Sequence, residues 1–137
     1  MRVVLDASYT IALALREGEI AGAAEVMERI ATDGADVPAL WRFEVGNVLL
    51  MATRRCKIDA QTEAAILTDL DSLPITIDQG GVAHAWAATA ALARCHRLTL
   101  YDAAYLELTM RLKSPLASLD SALATAARAE SVATFGS

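Results

Sequence analysis

Long apolar runs are missing from this chain: no stretch approaches the ~18 consecutive apolar residues of a spanning helix, so no membrane segment is expected. The first apolar run contains an acid and leads into no cleavable segment, which speaks against a secretory signal and for a cytoplasmic location. Cysteine is scarce: Cys56 and Cys95 stand without CxxC spacing, and their flanks hold no metal-site pattern. They read as reduced thiols partly buried on helices. The two histidines, His84 and His96, share no HxxxH or HxH pattern and read as surface or packing residues rather than zinc ligands. Two Trp, three Tyr and two Phe are too few to make the aromatic surface of a dedicated single-strand binder. Positive charge is short as well, with 12 Lys and Arg against 17 Asp and Glu. The resulting net charge of −5 excludes a generic polyanion binder, although local distribution matters more than the sum.

What is present is apolar and ordered. A 55% apolar composition rules out disorder, and 137 residues suit one compact domain spanning 1–137 with a real core. No repeat, linker or low-complexity tail interrupts it. Short β-like runs alternate with helical ones. "VVL" reads as a buried strand and "YTIALALREGE" as a helix interrupted at Gly18. "EIAGAAEVMERIATDG" repeats apolar residues at Ile20, Ala23, Ala24, Met27 and Ile30, and stops at Gly34. "ADVPAL" is a second strand ending at Pro38, followed by a helix from about Leu40 to Arg54. A helix over "DAQTEAAILTDLDSL" starts at Asp59, a plausible N-cap, and ends at Pro74. "ITI" is a third strand, and "GVAHAWAATAALARC" a helix after Gly80 and Gly81. "RLTL" is a strand or only a turn, "DAAYLELTMRLK" a helix, "PLASL" a strand, "SALATAARA" a helix and "VATF" an edge strand. The alternation predicts an α/β fold with a mostly parallel sheet of four to five strands.

In open parallel sheets, sites form outside the carboxyl ends of the strands. Asp6 ends the first strand, Asp120 ends "PLASL" and Asp102 begins a helix directly after "RLTL". Each alone is compatible with an N-cap; their repetition at one sheet edge points further. Glu44 lies on the stripe formed by Trp41, Val45, Val48, Leu49 and Ala52, and so turns toward the protein, with Asn47 one turn on. Glu17, Glu19, Glu25, Glu28, Asp33, Asp69, Asp71 and Glu130 read as solvated charges. Inward carboxylates without matching cations require protonation or a bound metal. Oxygen-rich acidic clusters suit Mg2+ or Mn2+, which keep several waters, lower the pKa of one of them and complete their coordination with phosphate.

Those positions resemble the PIN-domain nucleases, specifically the VapC-type toxins of type II toxin–antitoxin pairs. "VVLDAS" is similar to the family's hydrophobic–Asp–x–Ser/Thr opening, "PALWRFEVGNVL" to its Glu–x–x–Asn–x–Leu helix, "LYDAAYLELT" to its Tyr–Asp–Ala–x–Tyr segment and "PLASLDSALATAA" to its closing Thr/Ser–x–Asp strand and helix. Ser118 stands where the family commonly has threonine, and no acidic position is missing. The resemblance implies a three-layer α/β/α PIN-like fold and a Mg2+- or Mn2+-dependent endoribonuclease acting on tRNA or rRNA. It implies Asp6, Asp102 and Asp120 as metal ligands, and Glu44 as the carboxylate that binds metal through water or orients the attacking hydroxide. Ser8 and Ser118 become supporting hydroxyls, and Asn47 a partner of Glu44 or substrate; strand-end serines and helix-face packing stay open for these three. A homodimer and a cognate VapB-like antitoxin are the implied partners.

RNA contacts are less legible. Arg54, Arg55 and Lys57 suit a helix C-terminus, leaving Arg16 and Arg42 as candidates for holding a phosphate. Tyr101 and Tyr105 read as core or rim packing. Two alternatives remain: a PIN nuclease in RNA processing outside any toxin pair, and a non-catalytic α/β binding module whose acids are helix caps. A receiver-like domain expects an acidic pair after the first strand, which "LDASYT" does not supply.

Overall fold

The structure, a computed structural model, describes residues 1–136. Its centre is a five-stranded sheet in the order β3-β2-β1-β4-β5, in which every neighbouring pair is parallel. The strands are β1 (Val3–Leu5), β2 (Ala35–Pro38), β3 (Ile75–Asp78), β4 (Leu116–Ser118) and β5 (Thr134–Gly136). Among the described residues seven α-helices accompany them: α1 (Ala7–Leu15), α2 (Ala23–Asp33), α3 (Leu40–Arg54), α4 (Ala60–Ser72), α5 (Ala88–His96), α6 (Leu100–Leu112) and α7 (Ser121–Ala129). The α/β expectation and its strand count hold.

β1 lies in the middle because it can be covered on both faces: Val3, Val4 and Leu5 are all but inaccessible to water. α2 and α6 pack on β1, while α1 and α7 pack on β4. Val26 and Ile30 of α2, Trp41, Val45 and Leu49 of α3, and Tyr105, Leu106 and Leu108 of α6 fill the core. Arg2 fixes the amino end of the sheet, donating from Nε to Asp36 (2.7 Å) on β2 and from Nη2 to Thr76 (2.9 Å) on β3. Gly34 turns α2 into β2 at φ +87, where a Cβ would meet the Pro74 carbonyl at 2.8 Å.

After β1 the chain builds outward to β2 and β3, then returns to the other side of β1 for β4 and β5. The direction of winding therefore reverses between β1 and β4, and in open parallel sheets the carboxyl ends of the strands at such a reversal are where sites form.

Several local expectations are corrected. "RLTL" is not a strand: Arg97 ends α5 at φ 55, and Thr99 caps α6 by accepting the Asp102 N–H. "GVAHAWAATAALARC" is not one helix but a 3-10 turn, Gly81–His84, followed by α5. Ala87, at φ −116 and ψ −99, breaks the helical path between them. The buried row of α2 is Val26 and Ile30, with Ala24 and Met27 exposed, so the helix is rolled relative to the predicted stripe. Val48 of α3 is exposed for the same reason. Both cysteines are exposed, and Cys56 lies beyond α3 at φ 57 rather than on a helix.

Candidate active site

Asp6 follows β1 and occupies the N-cap position of α1, yet its side chain makes no capping bond. Two serines hold it instead. Ser8 Oγ and Ser118 Oγ both donate to Asp6 Oδ2, at 2.7 and 2.6 Å. Each hydroxyl also accepts a backbone N–H from the segment after β4: Leu119 N to Ser8 Oγ (3.0 Å) and Asp120 N to Ser118 Oγ (3.0 Å). The pairing of Leu5 with Ala117 brings these groups together across the β1–β4 boundary. Asp6 is thus held at the reversal point of the sheet by one hydroxyl from α1 and one from β4.

Asp120 does cap a helix, accepting the Leu123 N–H at 3.1 Å. Asp102 does not; it sits in the first turn of α6, which Thr99 caps. Glu44 on α3 is half-buried and accepts a 2.5 Å hydrogen bond from the hydroxyl of Tyr105, a fully buried residue of α6. Tyr105 packs in the core as the sequence suggests; what the sequence does not show is that its hydroxyl reaches Glu44. Its spacing of three from Asp102 on one helix was the available signal.

The electrostatics tie the four carboxyls together. Burial raises the pKa of Asp6, partly offset by the Ser118 and Ser8 hydrogen bonds, and the charge of Asp120 raises it further. Burial likewise raises Glu44, opposed by the Tyr105 hydroxyl and reinforced by Asp6 and Asp102. Asp102 is raised by burial, then by Asp120 and Asp6. Tyr105 is itself pushed well above the ordinary phenol range by burial and by Glu44.

Two further buried acids, Asp36 and Glu107, show the contrast. Asp36 is paired with Arg2, and Glu107 shares Arg111 with Asp78 at the end of β3. The Arg111 hydrogen bond holds Asp78 below the usual carboxylate range despite partial burial. No ion pair among the described residues includes Asp6, Glu44, Asp102 or Asp120.

Among the described residues, no three of these four carboxyls bring oxygens within 4.8 Å of one another. The arrangement is too open for a closed, all-protein cage. It fits a hard cation that keeps its own waters and reaches the carboxylates partly through them.

The remaining predicted residues are less close-knit. Asn47 is exposed, and no hydrogen bond joins it to Glu44 among the described residues. Arg42 pairs with Asp71 of α4 at 2.7 Å. Arg16 ends α1 in the left-handed conformation, about 15 Å along the helix from Asp6 at ~1.5 Å per residue. Phe43, Val82, Trp86 and Tyr101 are large apolar side chains that are all more than 60% exposed. Leu40, Val82, Leu100 and Tyr101 line a pocket of about 230 Å³ that also touches Asp78 and Glu107.

The fold is similar to that of two solved structures. One is PAE2754 from Pyrobaculum aerophilum, with a TM-score of 0.68 at 22% identity over 92% of this chain and 79% of that one. The other is FitAcB from Neisseria gonorrhoeae, with a TM-score of 0.65 at 15% identity over 98% of this chain and 96% of that one. No protein-family model and no curated protein matches the chain. At these identities the likeness concerns the fold, which is PIN-like: a parallel five-stranded sheet flanked by helices.

Proposed function

We propose that this chain is a PIN-domain endoribonuclease of the VapC-like kind, a single domain over residues 1–137. In this reading it is a toxin that cleaves cellular RNA of the tRNA or rRNA class and is neutralised by a cognate VapB-like antitoxin. One observation carries the proposal. Asp6, Glu44, Asp102 and Asp120 lie close enough for their charges to add to the raised pKa values of Asp6, Glu44 and Asp102, and none of the four pairs with a cation among the described residues, whereas Asp36 and Glu107 each have an arginine. A fold that stabilises its other buried acids with arginine and leaves these four unpaired keeps them for a ligand of positive charge.

Asp6, Asp102 and Asp120 are the residues proposed to hold Mg2+ or Mn2+, which supplies an acidified water and neutralises charge on the phosphodiester. Ser8 and Ser118 keep the Asp6 carboxylate oriented, since their protons both go to Oδ2. Glu44, with Oε1 held by Tyr105, has Oε2 to accept the proton of the attacking water. The water oxygen would bond to phosphorus as the P–O bond to the departing ribose breaks, the leaving oxygen taking its proton from solvent. The net charge of −5 is no obstacle, because RNA phosphate is drawn to the cation and not to the protein as a whole.

The large apolar side chains left in water at Phe43, Val82, Trp86 and Tyr101 favour protein partners, here a second copy and the antitoxin. The cap made by Asp120 favours the rival, non-catalytic module, in which the acids only start helices. The two readings separate on one experiment: sequencing the 5′ ends of RNA fragments after expression, with Asp6→Asn as control. The nuclease reading requires new ends that Asp6→Asn abolishes. Growth arrest relieved by the antitoxin distinguishes a toxin from an RNA-processing nuclease.

A further inference from the structure

We propose a second metal site, of different chemistry, formed by Cys95, His96 and Glu130 for a zinc-class ion. It does not depend on the nuclease reading. Each of the three offers one donor atom, and the three donors lie within 4.8 Å of one another. His96 Nε2 is 2.7 Å from Glu130 Oε1, although the two residues are 34 apart in sequence. No local spacing marks the site, which is why a motif search for CxxC or HxxxH passes over it.

The fold builds it from two helix ends. Cys95 and His96 close the last turn of α5, and Glu130 is the C-cap of α7. Helix carboxyl ends carry partial negative charge, so two of them beside a carboxylate favour a cation. His96 and Glu130 are mostly screened from water, at 15% and 29% side-chain exposure, while Cys95 is open to it. The pair is thereby pre-positioned and the thiol supplies an accessible entry.

The donor set selects the ion. Thiolate with imidazole and carboxylate suits Zn2+, whereas the all-oxygen set of four carboxyls suits Mg2+ or Mn2+. Around a tetrahedral Zn2+, nitrogen and oxygen ligands stand about 3.4 Å apart and sulfur and nitrogen about 3.6 Å. Reaching this geometry needs the His96–Glu130 contact to open by less than ~1 Å and the exposed Cys95 side chain to close by no more than ~1.2 Å. Binding releases the Cys95 thiol proton to solvent, the sulfur lone pair bonds to the metal, and a water takes the fourth position. The ion then fastens α5 to the end of α7, about 15 Å along that helix from Asp120 at ~1.5 Å per residue.

Co2+ titration of the reduced, metal-stripped full chain tests this directly. A thiolate–cobalt charge-transfer band in the near ultraviolet, displaced by Zn2+ at one equivalent, is the expected result. The band is absent in Cys95→Ser and retained in Cys56→Ser, which removes the other exposed thiol. Glu130→Gln weakens Zn2+ binding by about 10–100-fold, measured against a chelating dye. No band, or a band that survives in Cys95→Ser, would overturn the proposal. Asp6→Asn keeps the band while Cys95→Ser keeps RNA cleavage, so failure here and failure of the nuclease reading are told apart.

Discussion

Replacing Ser118 by alanine tests how Asp6 is held. The hydroxyl makes two bonds in a fully buried position: it donates 2.6 Å to Asp6 Oδ2 and accepts 3.0 Å from the Asp120 N–H. A hydrogen bond to a charged group contributes ~1.5–3 kcal/mol, and an orphaned buried N–H costs ~1–3 kcal/mol. Asp120 is only half-buried, so water can reach part of the vacated space. Ser118→Ala should therefore destabilise the metal-free chain by about 2–4 kcal/mol. Ser8→Ala, at a less buried hydroxyl, should cost about 1–2 kcal/mol. Because both serines donate to the same oxygen, the double variant should deviate from the sum of the singles. Urea denaturation in a chelator, followed by circular dichroism, reads all three as shifts in midpoint at constant slope. The Ser118–Asp6 bond favours the ionised carboxylate, so its contribution shrinks as pH falls through the raised pKa of Asp6, while the Asp120 N–H contribution persists. A Ser118→Ala variant within ~0.5 kcal/mol of wild type, or a difference indifferent to pH, would show that Ser118 does not hold the Asp6 carboxylate.

Three further outcomes are expected. Asp6, Glu44 and Asp102 all have raised pKa values, so their contribution to metal-free stability is full below the ordinary carboxylate range and lost as pH rises through the raised values. Thermal melts in chelator should thus show higher stability in mild acid than at neutrality, and Asp6→Asn should flatten that slope. Arg111→Met strands Asp78 and Glu107 and should cost about 2–4 kcal/mol in urea melts, the lower figure reflecting the arginine's partial exposure. Tyr105→Phe removes the donor to Glu44, raising its pKa further. RNA cleavage should fall about 10-fold or more, with the acid limb of its pH profile moved to higher pH and the fold retained.

Much of this fold is legible along the chain because its signals are local. "VVL", "ADVP" and "PLAS" are apolar runs too short for helices, and Asp59 caps α4 as its side chain predicts. "RLTL" misleads because its β-like residues are overruled by a helix start: Thr99 caps α6, and Leu100 is already inside it. The rotation of α2 and α3 depends on which neighbour each helix meets, which no single helix encodes. The site divides in the same way. Asp6, Asp102 and Asp120 stand at element boundaries that the sequence marks. The bond between Tyr105 and Glu44 joins residues 61 apart, and the arginine partners of Asp36 and Glu107 are visible only in three dimensions. Glu130, read along the chain as a solvated charge, is half-buried against His96 for the same reason.

If Asp6, Glu44, Asp102 and Asp120 hold a divalent cation for RNA cleavage, incubating the purified chain with total cellular RNA and Mg2+ or Mn2+ and mapping the 5′ ends reveals it. Discrete new ends should depend on the metal, vanish with chelator and be absent for Asp6→Asn and Asp102→Asn. Cleavage by either variant at the wild-type rate, or no metal-dependent ends from the wild-type chain, would contradict it.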